Sequence, residues 1–308
     1  IESLLGTLYP KNSHPDWLGI LRPGQSVFAS SMPGAQRLAN SLGSSQNLAL
    51  SRLWSAQKCV LVEGKDLKLL HAVQRTLYPL TDAPFETLPS YPIGGWGGWE
   101  RAVGSSLLLK NAAGDEIKVY CVLDSDYHSE SGIAQRYQQA VDRGVRLHIW
   151  KRKEIENYLL DAGVIHRVIA GRMPGCTLSI EQVEARMLQE AEALKNNVLD
   201  AMADAYLALA RDGAAGNANR KARARVDEAW RTKAGRLAIV SGKDLVSRMS
   251  AWVQETMGVS FGAGTLASAM FAHEVPQELA AVVRSIESRA SMPGDAGAAA
   301  PATPPRPR

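Results

Sequence analysis

Two short apolar runs in this chain end in carboxylates. Cys59-Val-Leu-Val62 leads straight into Glu63-Gly64, with a second acid at Asp66. About sixty residues on, Ile117–Leu123 leads into Asp124-Ser125-Asp126. Each run is short and apolar enough to be a strand buried on both faces of a parallel sheet. In such sheets the chemistry gathers beyond the carboxyl ends of the strands. Acids converging there repel one another unless a positive group stands among them, and a divalent metal fills that role most simply. Glu130, Glu154 and Glu156 also fall at or just after expected strand ends, which makes Glu63, Asp66, Asp124, Asp126, Glu130, Glu154 and Glu156 the candidate ligands. Hard dications take oxygen ligands, and a pair of them can flank a phosphodiester. In an extended Asp-x-Asp the two side chains point to one face, so Asp124 and Asp126 are expected to act together.

The elements that would position these acids alternate between strand and helix. Leu70, Val73 and Leu77 give a helix after Asp66, stopped by Pro79. Phe85–Leu88 reads as a weak second strand. Gly94-Gly-Trp-Gly-Gly-Trp99 is read as a flexible loop with two buried indoles, followed by a short helix to about Leu109. No Gly-Lys-Ser/Thr follows it, so it is not a phosphate loop. Ile133, Tyr137, Ala140 and Val141 give a further helix closed by Gly144, and Val145–Trp150 is the next strand. The alternation implies an α/β layer with right-handed crossovers. Beyond Trp150 the pattern is helical throughout. Ser179 and Gln182 form a capping box before one long apolar stripe, Ile180, Val183, Met187, Ala191, Leu194, Val198, Met202 and Leu209. Leu245, Met249, Trp252 and Val253 mark another helix, and Pro276 opens a last one that turns Leu279, Val282, Val283 and Ile286 inward.

Composition sets outer limits. The 308 residues, 45% hydrophobic and 21% charged, suit a globular protein of about two domains. No apolar run is long enough to span a membrane, so no membrane partner is expected. The three cysteines, Cys59, Cys121 and Cys176, lack metal-ligand spacing and fit a reducing cytoplasm. The net charge of +4 is too small to announce a nucleic-acid partner, but residues 211–236 are basic. Arg220, Lys221, Arg223 and Arg225 there, and Arg152 after the last strand, are the candidate phosphate contacts. The chain begins at Ile1 and is read as a fragment or processed product.

Glu63-Gly with a following acid, then Asp124-x-Asp126, in this order on an α/β layer, resembles the Toprim domain of topoisomerases, primases and some nucleases. Arg152-Lys-Glu-Ile-Glu156-Asn-Tyr-Leu-Leu160, Asp124-Ser-Asp-Tyr-His-Ser-Glu130 and Ser241-Gly-Lys243-Asp-Leu narrow the resemblance to the class 2 OLD (overcoming lysogenization defect) nucleases, over roughly residues 56–290. It implies a Toprim-type parallel sheet flanked by helices, with an additional all-helical domain. Residues 1–55 would connect to an upstream ATPase, 56–160 would be the Toprim domain, 161–290 the helical domain, and 291–308 a disordered tail. The implied activity is DNA cleavage or nicking with two Mg²⁺ or Mn²⁺ ions. Glu63, Asp124 and Asp126 match the metal-ligand acids, Glu130 and Glu156 the surrounding motif, and Lys243 the catalytic-site lysine. The second acid of the glycine motif usually falls four residues after the glutamate. Here that position is Leu67, and Asp66 stands one residue early. A topoisomerase or primase, and a catalytically idle DNA-binding module worked by a partner ATPase, are the rival readings.

Overall fold

In a computed structural model, residues 56–290 are described apart from 82, 89, 93, 101, 105, 107–116 and 210–214, together with Met292. The expected connector over 1–55 and the expected tail, Met292 aside, lie outside the described residues. The chain is mixed α/β and mostly helical, built on a small all-parallel sheet. Its strands are β1 (Lys58–Val62), β2 (Ser90–Pro92), β3 (Lys118–Leu123) and β4 (Val145–Ile149), in spatial order β2-β1-β3-β4. Cys59 pairs with Val119 and Leu61 with Cys121; Cys121 pairs in turn with Leu147.

Side-chain alternation divides the core between the two faces. Cys59, Leu61, Val119, Cys121, Leu123, Leu147 and Ile149 pack with Trp99, Ala102 and Val103, and with Ala140 of α2 (Glu130–Arg143). Val60, Val62, Tyr120 and Val122 face the other way, onto α1 (Asp66–Leu77) and the helices after β4. Those helices are α3 (Ala162–Arg172), α4 (Ile180–Ala193), α5 (Lys195–Leu209), α6 (Ala215–Trp230), α7 (Lys233–Ile239), α8 (Gly242–Met257), α9 (Ala263–Ala269) and α10 (Gln277–Glu287). The apolar cluster on that face is continuous, from Val60 and Tyr120 of the sheet to Ile165, Met187, Leu245 and Val282. No described helix is long and apolar enough to cross a membrane.

Several local readings hold and others do not. Ser179 and Gln182 cap α4 reciprocally, Gly144 closes α2 with a φ of 68°, and α10 buries Leu279, Val282, Val283 and Ile286. The long stripe after Ser179 is two helices, α4 and α5, meeting at Leu194. Val183, Met187, Ala191, Leu194, Val198 and Met202 are buried, whereas Ile180 is exposed, as is Val141 on α2. Phe85–Thr87 is a 3₁₀ turn, not a strand. The Phe85 amide donates to Gln74 Oε1 at 2.8 Å, which takes it out of any ladder. The second strand comes later, at Ser90–Pro92, where a proline is tolerated at a sheet edge.

The opposite edge, β4, is closed by side chains. The Trp150 amide reaches back to Leu123 O, so its neighbours point outward. The Ile149 amide donates to the Tyr137 hydroxyl at 3.0 Å and the Lys151 amide to Glu278 Oε1 at 3.0 Å. An edge capped in this way offers little to a pairing strand.

Candidate metal centre

β1 and β3 lie side by side, so the residues just past their C-terminal ends are neighbours. The Asp124 backbone lies near enough to the Glu63 carboxylate to favour its charged form, against the larger effect of burial. The chain then turns tightly through Gly64, at a φ of 53°, and the Asp66 amide donates to Glu63 O at 3.2 Å. That turn brings Asp66, the first residue of α1, back into the cluster, 3% exposed. Leu67 packs against the apolar core instead. Of these two positions it is Asp66, not Leu67, that joins the acidic cluster.

Asp124 and Asp126 do not point to one face. The strand ends at Leu123, and Asp126 takes a left-handed backbone conformation (φ 44°), its amide donating to Lys153 O. Strand alternation no longer applies there, and the two carboxylates differ in exposure and partners, although Asp126 stays close enough to Glu63 to raise its pKa, second only to burial. Asp124 is 1% exposed and turns into the cluster. The Asp126 side chain is 43% exposed and meets Lys153 Nζ at 3.3 Å.

The third contribution comes from the turn after β4. Glu154 and Glu156 are both buried. Asn157 pins this turn, accepting the Glu154 amide and donating to Leu237 O and Val240 O, each at 2.8 Å. The N-terminus of α8 then docks on it. Ser241 caps α8, accepting the Asp244 amide, and Glu154 Oε1 accepts the Lys243 amide at 2.7 Å. A Cβ at Gly242 would stand 2.7 Å from Asn157 N and 3.0 Å from Glu156 Cβ, so only glycine permits the approach. The approach delivers Lys243 to the acids. Its Nζ lies 3.2 Å from Asp124, 3.4 Å from Glu154 and 3.9 Å from Glu156. Burial alone would lower the Lys243 pKa, but these three acids push it above the ordinary value.

The electrostatics single out the acids that keep an unpartnered oxygen. Burial, with Asp124 and Glu156 close by, pushes Asp66 up to about 8. Burial also raises Asp124 to about 7, with Lys243 pulling against it. Glu63 and Glu156 are raised too, again chiefly by burial. One oxygen on each of these four residues (Glu63 Oε2, Asp66 Oδ2, Asp124 Oδ1 and Glu156 Oε2) is buried without a hydrogen-bond partner. Glu154 differs. Burial would raise it, but Lys153 and Lys243 outweigh burial and hold it low.

The other candidates are dispersed. Glu130 is exposed on the first turn of α2 and lines a neighbouring cleft. The Arg152 guanidinium donates to Asn157 O at 2.6 Å and lies over the Tyr158 ring, so it is engaged within the fold. Arg220, Lys221, Arg223 and Arg225 are exposed on α6, and of these Arg225 lines the same cleft as Glu130.

Lys153, Asn157 and Gly242 fall within the quoted motifs, but the sequence assigns them no role, and it does not place the glycine-tryptophan loop at the site. That loop forms a 3₁₀ turn, Gly95–Gly98, against Glu63. Gly95 has a φ of 68°, and a Cβ there would lie 2.7 Å from Glu63 Oε1. Trp99 is buried, but Trp96 is only half-buried; its Nε1 donates to Asp124 O at 2.9 Å, and its ring stacks on His128. The pairing of two indoles with glycines was the available signal.

Could these acids take a metal? Among the described residues, no three His, Cys, Asp or Glu side chains are already arranged to hold an ion. Lys243 stands among them in its place. The donor chemistry nevertheless fits a hard cation: carboxylates only, three buried and Glu63 half-buried, with raised pKa values and unpartnered oxygens. No family model, curated protein or solved structure matches this chain.

Proposed function

We propose that the chain is a divalent-metal-dependent DNA nuclease of Toprim type, similar to the nuclease half of class 2 OLD proteins. One observation carries this reading. Four acids from three separate stretches bring unpartnered, buried oxygens together beside a lysine, at the C-terminal rim of a parallel sheet. Four such groups would be costly as a purely structural arrangement.

Glu63, Asp66, Asp124 and Glu156 would hold Mg²⁺ or Mn²⁺. A bound pair of such ions supplies an activated water and charge stabilisation at a phosphodiester. The chain's own residues do the rest. Glu154 holds the α8 N-terminus and the Lys243 side chain in position. Lys243, half-exposed at the cluster's edge, presents fixed positive charge to a phosphate approaching the acids. Trp96 and Gly95 close the site over Glu63 and Asp124. DNA is the proposed substrate, and an ATPase upstream in a longer protein is the proposed partner.

The topoisomerase rival needs a free tyrosine nucleophile. Tyr127 donates to Ile239 O at 2.9 Å and Tyr158 to Glu278 Oε2 at 2.6 Å. Burial pushes both phenols well up, so neither is poised to attack.

The test is to incubate supercoiled plasmid with the chain in Mg²⁺, Mn²⁺, Ca²⁺ or EDTA. Nicking or linearisation in Mg²⁺ or Mn²⁺, absent in EDTA and absent for Asp124→Ala, supports the nuclease. Binding without cutting in every metal would leave only the DNA-binding module.

A further inference from the structure

A cleft of about 620 Å³ opens off the capped edge of β4. Tyr137 of α2 stands on one side, Glu278 of α10 on the other, and Met202, Tyr206 and Arg225 of α5 and α6 line it as well. Asp126 lines this cleft, and so does Lys153, which also pairs with Glu154 of the acidic cluster, so the two sites are neighbours across the Asp126–Lys153 pair. We propose that the cleft holds one unpaired nucleotide of the DNA strand whose phosphodiester lies at the acids, so that the chain acts where the strands are unpaired, as they are locally in a negatively supercoiled plasmid. This rests on the nuclease reading above.

Size, lining and unmet hydrogen bonds all point the same way. The volume is that of a small-ligand site, with room for a nucleotide and none for a duplex. A base enters such a site only from a single strand or by leaving the stack. The walls are largely aromatic and aliphatic, with Tyr206 and His128 half-buried in the lining. Aromatic faces of this kind hold bases by stacking, whatever the sequence. Behind them stand His148 and Trp150, 2% and 1% exposed, with His148 Nδ1 and Trp150 Nε1 both unpartnered. His148 Nε2 faces Glu278 Oε1 at 3.1 Å, and when it donates there Nδ1 is left as an acceptor. Two buried side chains of the lining thus keep one acceptor and one donor without a partner.

The charges leave room for a phosphate. Of the acids lining the cleft, Glu278 already accepts from His148, Tyr158 and the Lys151 amide, and Asp126 is paired with Lys153. Lys151 and Arg225 remain, against Glu130 alone. Arg225 is therefore the basic residue of α6 that the structure assigns to the bound strand.

The experiment is fluorescence anisotropy in EDTA, where nothing is cut. It uses the full chain with a labelled twelve-nucleotide single strand and with the blunt duplex of the same sequence. The single strand is expected to bind about tenfold more tightly. Tyr206→Ala and Arg225→Glu should each weaken it about fivefold or more, and Tyr206→Phe should retain it. Equal affinity for the duplex, or an unchanged affinity in Tyr206→Ala, overturns the proposal. The two readings fail separately. A chain that holds the single strand through Tyr206 but never cuts DNA in Mg²⁺ or Mn²⁺ loses the nuclease and keeps the cleft. One that nicks plasmid while Tyr206→Ala binds normally loses the cleft and keeps the nuclease.

Discussion

The acidic site has two sides that differ in how their charge is met. On one, Glu154 and Asp126 face Lys153, and Glu154 also binds the α8 N-terminus and Lys243. Glu154 there is held below the usual carboxylate range. On the other, Glu63, Asp66, Asp124 and Glu156 share Lys243 among them, keep four oxygens unpartnered and are all raised by burial. Carboxylates of the same type, a few residues apart in sequence, thus do opposite work. The paired side is a clamp that fixes the turn after β4 to α8. The unpaired side is a deficit that a cation would meet.

The sharpest way to break this contrast is to remove one acid from each side. Asp124→Ala should lower plasmid cleavage by about 10²–10³-fold with an unchanged far-UV circular dichroism spectrum. Retained cleavage would place the chemistry elsewhere. Glu154→Ala should act on stability first. It leaves Lys153 and the Lys243 amide without their buried acceptor, at a cost of about 3 kcal/mol read by urea unfolding. A neutral result would show that the clamp is not one.

Asp66→Asn should do the reverse and stabilise the metal-free chain at pH 8, on the order of 1–3 kcal/mol, because it removes a buried charge without a partner. The pH dependence follows from the same deficit. Burial pushes Asp66 up to about 8 and Asp124 to about 7 in the folded chain, well above the ordinary aspartate value of 3.8. The folded chain therefore binds more protons than the unfolded chain between about pH 4 and pH 8, and these two acids make stability fall as pH rises through that window. Glu154, held low, contributes in the opposite sense, and its share is lost only as pH falls below the ordinary glutamate range. In EDTA the melting temperature should decline from pH 6 to pH 8.5, and Asp66→Asn should flatten that decline. The smallest expected effect is at Gly95, where alanine would meet Glu63 Oε1 in a left-handed backbone, costing about 1–2 kcal/mol.

The same contrast shows what was legible in sequence. Residues that answer to a local rule could be read directly. The apolar runs became β1, β3 and β4, and the caps at Ser179 and Gly144 lie where local rules put them. Glu63 and Asp124 could be placed together because adjacent parallel strands end together. Long-range contacts escaped the reading. Nothing local says that Gly95 must be small for Glu63, or that Gly242 must be small for Asn157, since those neighbours are distant in sequence. The alternation argument for Asp126 does not carry over, because alternation holds only while a strand lasts and the strand stops three residues before it, yet Asp126 remains near Glu63. Phe85 misled because Gln74, eleven residues earlier, took its amide.

The most direct measurement is to soak crystals of the chain in Mn²⁺ and collect anomalous diffraction. The account predicts Mn²⁺ peaks at about 2.0–2.3 Å from oxygens of Glu63, Asp66, Asp124 or Glu156, with Lys243 Nζ displaced from Asp124, and no such peaks in Asp124→Asn. Lys243 still at Asp124, with Mn²⁺ absent from the cluster or bound only elsewhere, would contradict it.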